Sequence, residues 1–144
     1  MGQTNYRIYI IDKDTNERCV WFLGTTLDSW TLLVPRIFWN LPWHAGKVSF
    51  DCVQSKESGL YEKYRMETKS EWAAASVALA QTAEDSFDFP GFPNTESALV
   101  YLTHPLAGFY YRRDNQLGTY RVWHKELSVK PAHLKKLTLI YLLG

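Results

Sequence analysis

The sequence predicts an α+β domain, an antiparallel β-sheet curled into a partial barrel with two short helices. Three observations carry that prediction. Runs of β-branched and aromatic residues recur along the chain, separated by clusters of turn formers, and aromatics reach 15%. Only two segments, Leu27–Asn40 and Thr95–Leu102, combine helical apolar spacing with a capping residue. No repeat, charge block or low-complexity linker interrupts the 144 residues, so one domain is expected.

Tyr6–Ile11 (YRIYII) and Cys19–Gly24 (CVWFLG) read as a hairpin around the polar linker DKDTNER. Leu27–Asn40 reads as a helix that Asp28 or Ser29 can cap, with Leu32, Leu33, Phe38 and Trp39 at helical spacing. Pro35 inside it predicts a kink or a later start, and Pro42 stops it. Lys47–Val53 alternates cleanly, with Val48, Phe50 and Cys52 on one face and Lys47, Ser49 and Asp51 on the other. After the turn QSKESG, Leu60–Lys69 is a strand.

Glu71–Thr82 is alanine-rich, which suits a helix by propensity. Its small residues alternate with Trp72, Val77 and Leu79, so a third strand of a meander is the reading adopted. Ala83–Pro93 is a loop. Thr95–Leu102 is the second helix, capped by Asn94 or Thr95, with Ala98, Leu99 and Leu102 facing inward. Gly108–Arg113 and Thr119–Leu127 form a second hairpin around DNQLG, and Leu134–Leu143 is apolar enough for a buried strand.

Composition excludes several functions. A net charge of +1 gives no reason to expect nucleic acid or an anionic membrane as partner. No secretory h-region and no long apolar run is present, so a cytoplasmic protein is expected. The two cysteines, Cys19 and Cys52, have no metal or redox spacing and read as reduced, partly buried thiols. No His, Cys and acid trio has metal spacing, and there is no Gly-rich phosphate loop and no GxSxG elbow. No cofactor is expected.

Several stretches in this order resemble a known family: GTTLDSW, a helix with Arg36, LPWHAGKVSF, PNTESALVYLTHPLAGFYYRR and TYRVWHKEL. Together they are similar to the YqjF-like proteins of the DUF2071 family, over nearly the whole chain. The resemblance implies a fold like that of acetoacetate decarboxylase. In that enzyme the corner after the proline holds paired lysines, one of which forms a Schiff base. The matching positions here are Trp43 and His44, which cannot form that imine. Family members usually have a further N-terminal region. This chain begins just before Tyr6, so the resemblance implies an open sheet edge and self-pairing into a homo-oligomer.

The candidate residues gather around the corner. Arg36 lies on an otherwise apolar helix, where it can hold a carboxylate or phosphate. The competing reading is an internal salt bridge to Asp28, Asp51 or another acid, or a head that snorkels to water. His44 can act as base or ligand anchor, or be a hydrogen-bonded corner histidine. Lys47 shares strand parity with Trp43 and would be a nucleophile if desolvated, a solvated strand lysine otherwise. Trp39, Trp43, Tyr110, Tyr111 and Trp123 can wall an aromatic pocket or fill the core. His124 sits two residues from Glu126 on one strand face, a pair that can move a proton and is also common on exposed strands. The expected partner is a small-molecule ligand, anionic with an apolar part, bound without Schiff-base chemistry. The alternatives are an enzyme using His44 or Lys47 with Arg36, and an interaction subunit that dimerises through an open sheet edge.

Overall fold

The computed structural model describes residues 1–83, 88–103, 107–121 and 129–141. Among them the chain is mostly strand with two short helices, arranged as two open sheets. The first hairpin is longer than its apolar runs: β1 is Gln3–Ile11 and β2 is Arg18–Leu27. A single 3₁₀ turn over Trp30–Leu32 leads into α1, Leu33–Phe38. β3 is Trp43–Ala45, β4 Lys47–Gln54, β5 Tyr61–Lys69 and β6 Ala73–Gln81. α2 is Thr95–Thr103, β7 Ala107–Tyr111, β8 Leu117–Arg121 and β9 Ala132–Tyr141.

The predicted helix Leu27–Asn40 shrinks at both ends for local reasons. Leu27 stays in β2, opposite Gln3. Ser29 caps the 3₁₀ turn by accepting from the Thr31 amide. Asp28 instead accepts from the Gly2 amide at 2.6 Å, which ties the start of the chain to the end of β2. Pro35 sits in the first turn of α1, where a missing N–H costs nothing. Asn40 adopts a left-handed φ of 51°, which ends the helical path before Pro42 is reached. Glu71–Thr82 does contain a strand, β6, whose alanines pair with β5 on one side and β9 on the other. Asn94 caps α2, its side-chain oxygen accepting from the Ser97 amide.

The first sheet runs β1-β2-β7-β8, with β3 also on β2. It is not wholly antiparallel, as the sequence suggested. β2 is long enough to share one edge between two parallel neighbours: β7 along Val20–Phe22 and β3 along Thr25–Leu27. The second sheet runs β4-β5-β6-β9, all antiparallel.

The sheets meet at one end. Thr4 and Thr68 hydroxyls pair at 2.5 Å, Thr26 and Ser70 at 3.4 Å, and the Trp72 ring covers Gly24. Thr26 and Thr68 are fully buried there, beside Leu27, Val48, Ala73 and Ala75. β9 corrects the last strand prediction. It is a strand, but it is the outer strand of its sheet, and Leu134, Leu137 and Leu139 are exposed rather than buried. No described helix is long and apolar enough to cross a membrane.

Candidate functional site

Alternation along β1 places Gln3, Asn5 and Arg7 on one face of the first sheet and Thr4 and Tyr6 on the other. On β2 the register slips: Tyr6 pairs with Gly24 but Arg7 pairs with Phe22. Leu23 is the extra residue of a β-bulge. The bulge brings Phe22 and Thr25, three apart, onto the same face as Asn5 and Arg7. β7 then sets Tyr110 beside Phe22, and β8 adds Tyr120. The corner Leu41–Trp43 closes the far side, held by the Thr25 amide donating to the Pro42 carbonyl at 3.0 Å. These residues enclose a half-open cavity of about 440 Å³.

Glycine makes room for its aromatic wall. Gly108 faces Tyr120 across the β7–β8 ladder, and Tyr110 faces Gly118. Each ring lies over the bare backbone of the opposing glycine, in space that a Cβ would occupy. Tyr120 also meets Phe22 edge-on, with ring centres 5.2 Å apart. Burial pushes the Tyr120 phenol up to about 12, partly offset by the Arg7 charge, so it is a neutral hydrogen-bond donor at any physiological pH.

The polar wall is organised around Asn5. Its side-chain oxygen accepts from the Thr25 hydroxyl at 2.9 Å and from the Gln3 side-chain NH₂ at 2.8 Å. That leaves the Asn5 NH₂ as the group to donate outward. Arg7 gives one nitrogen to the Leu102 carbonyl at 2.8 Å, where Tyr9 donates too, so both cap the C-terminal end of α2. No carboxylate pairs with Arg7 among the described residues. Arg7 is the single formally charged residue in the described lining, which holds no lysine, histidine, cysteine or acid.

The sequence candidates separate. Trp43 and Tyr110 line the cavity; Arg36, Trp39, His44, Lys47 and Tyr111 are not among its described lining. His44 follows Trp43 on β3 and points to the opposite face, flat against Trp72. Burial lowers the His44 pKa, and the charges of Arg36 and Arg113 lower it further, so Arg36 acts on His44 rather than on the cavity. Lys47 is exposed on β4, opposite Lys69. Tyr111 is exposed and meets Trp21 edge-on, while its neighbour Tyr110 faces the cavity. Trp123, His124 and Glu126 lie outside the described residues.

Gln3, Asn5 and Arg7 were not singled out from the sequence. Their signal was there: polar residues at alternate positions of a strand otherwise rich in apolar ones. Among the described residues no group of His, Cys, Asp or Glu is placed to hold a metal ion.

No curated protein and no solved structure matches the chain. One family model, described as an uncharacterised conserved protein, matches residues 1–142, and on that match the chain belongs to the DUF2071 family.

Proposed function

We propose that this protein binds a small monoanionic ligand with a flat apolar body in the cavity between β1, β2, β7, β8 and the Leu41–Trp43 corner. The carrying observation is Arg7, a guanidinium at a cavity with no carboxylate beside it among the described residues. Arg7 and the Asn5 NH₂ would hold the anionic group, and Tyr120 would donate to it as a neutral phenol. Phe22, Tyr110 and Trp43 would cover the apolar part. The volume suits a compact ligand. Arg7 replaces Arg36 in this reading as the anion anchor.

A decarboxylase-like arrangement of the strands is part of the proposal. It is supported by the order of strand, helix and Leu41-Pro42-Trp43 corner and by DUF2071 membership. Trp43 stands where that enzyme would carry a lysine, which favours binding over imine chemistry. The free thiols Cys19 and Cys52 support a reducing, cytoplasmic setting.

The test is a thermal-shift and calorimetric screen of aromatic and branched-chain monocarboxylates against their neutral amides. Carboxylates should raise the melting temperature and amides should not; ligand at a hundred times its dissociation constant adds about 2.7 kcal/mol. Arg7→Gln should remove the carboxylate response. Equal responses to acid and amide, or an unchanged response in Arg7→Gln, would exclude the reading.

A further inference from the structure

The floor of the cavity has a defined hydrogen-bond polarity. Thr25 stands opposite Asn5 in the β1–β2 ladder and is 3% exposed. It lines the cavity, and it gives its single hydroxyl proton to the Asn5 side-chain oxygen at 2.9 Å. Thr25 Oγ1 keeps only lone pairs, so toward a ligand it can accept and cannot donate. Among the described residues no group donates to it.

Gln3 repeats the pattern one step along the same face of β1. Its NH₂ donates to the same Asn5 oxygen at 2.8 Å, which leaves its own Oε1 as a second acceptor. Asn5, between them, has used its oxygen twice and retains both N–H donors. The floor therefore sets two acceptors beside one double donor, with the Arg7 guanidinium two residues further along β1.

A carboxylate alone does not satisfy this row. It accepts from Arg7 and from one Asn5 N–H, and it has no proton for Thr25 Oγ1. A ketone oxygen sets lone pairs against lone pairs there. An ammonium has protons but no lone pair for the Asn5 NH₂, and its charge would stand near that of Arg7. A hydroxyl does both: it donates to Thr25 Oγ1 and accepts from the second Asn5 N–H. A buried acceptor left unpaired carries its desolvation cost, so a site of this kind tells a hydroxyl from its absence.

We infer that the cavity selects hydroxy acids, with Arg7 and one Asn5 N–H on the carboxylate and a ligand hydroxyl bridging the other Asn5 N–H and Thr25 Oγ1. This rests on the anion-binding reading above and names its ligand class. The two N–H bonds of one amide diverge by about 120°, so acceptors at about 2.9 Å along each lie about 5 Å apart. That spacing puts the hydroxyl on the second or third carbon of the acid, close to the carboxylate. The apolar body then extends under Trp43 and Tyr110.

The test is calorimetric titration of the whole chain with 3-phenylpropanoate and four derivatives of that skeleton: 2-hydroxy, 3-hydroxy, 2-oxo and 3-oxo. At least one hydroxy acid should bind about tenfold more tightly than 3-phenylpropanoate and than the oxo acid of the same position. Thr25→Val keeps the size and removes the acceptor, and should erase that advantage. Thr25→Ser should retain it. If Thr25→Val fails to fold, the wild-type series decides alone. Binding of 3-phenylpropanoate with no gain from either hydroxyl overturns this inference and leaves the anion site standing. So does an oxo acid that matches its hydroxy partner, or a folded Thr25→Val that keeps the full advantage. No binding by any of the five overturns both.

Discussion

The His44 imidazole lies flat on the Trp72 indole, ring centres 4.3 Å apart and planes 2° from parallel. This stack crosses between the sheets, since His44 belongs to β3 and Trp72 precedes β6. Trp72 also takes the edge of Tyr6 at 5.0 Å and covers Gly24. One indole thus fastens both sheets, and the ring stacked on it is a titratable histidine. The folded protein holds the His44 pKa below its ordinary 6.5, first by burial and then through Arg36 and Arg113. The unfolded chain therefore takes up this proton first as pH falls. Stability linked to His44 is complete above about pH 6.5, declines as pH drops below it, and stops declining under the folded pKa. Melting temperatures from pH 8 downward should fall in the wild type more steeply than in His44→Phe, which keeps the stack and cannot titrate. Parallel curves would show that His44 contributes nothing to the acid response.

Arg36 gives a sharper version of the same test. It lines no part of the cavity, yet its charge helps keep His44 neutral. Arg36→Ala should move the His44 titration midpoint upward, part of the way to 6.5, because burial remains the larger cause. Carboxylate binding in the same variant should be unchanged. The imidazole proton shifts in an NMR titration report the first effect. An unmoved midpoint would mean that solvent screens Arg36 from the ring, and loss of ligand binding would return Arg36 to the site.

The strands were legible because their apolar periods are strong, and β6 could be read despite its alanines because Val77 and Leu79 alternate with small residues. The cavity was not legible. Its position depends on the bulge at Leu23, a one-residue slip that puts Phe22 and Thr25 on one face. Simple alternation separates those two residues. Trp43 was found because proline and tryptophan mark the corner, and the same marks drew in His44, which the strand turns the other way. The exposed face of β9 was also hidden: an apolar run reports a preference for burial, and the run itself does not show which surface covers it.

Gly108 tests the cavity wall directly. Its Cβ position is filled by the Tyr120 ring, so Gly108→Ala must displace a side chain that both lines the cavity and packs on Phe22. Overpacking of this kind costs roughly 1–3 kcal/mol. We expect a lower melting temperature together with a weakened response to carboxylates. The double variant Gly108→Ala/Tyr120→Ala should recover stability relative to Gly108→Ala alone, since the ring that clashes is gone. A Gly108→Ala protein with wild-type stability and binding would show that Tyr120 can leave this position freely.

Tyr6 presents the opposite case, a polar atom whose removal should help. Its ring packs against Trp72 on the buried side of β1, and its hydroxyl is buried with no hydrogen-bond partner among the described residues. Burial alone raises the phenol pKa above its ordinary value. An unsatisfied buried hydroxyl carries its full desolvation cost, whereas the ring supplies the packing. Tyr6→Phe keeps the ring and removes the cost, so the domain should gain about 1 kcal/mol in urea denaturation with an unchanged m-value. Tyr6 faces away from the cavity, so ligand response should not move. A loss of stability in Tyr6→Phe would show that the hydroxyl has a partner in solution, and an ordered water between the sheets is the group to look for.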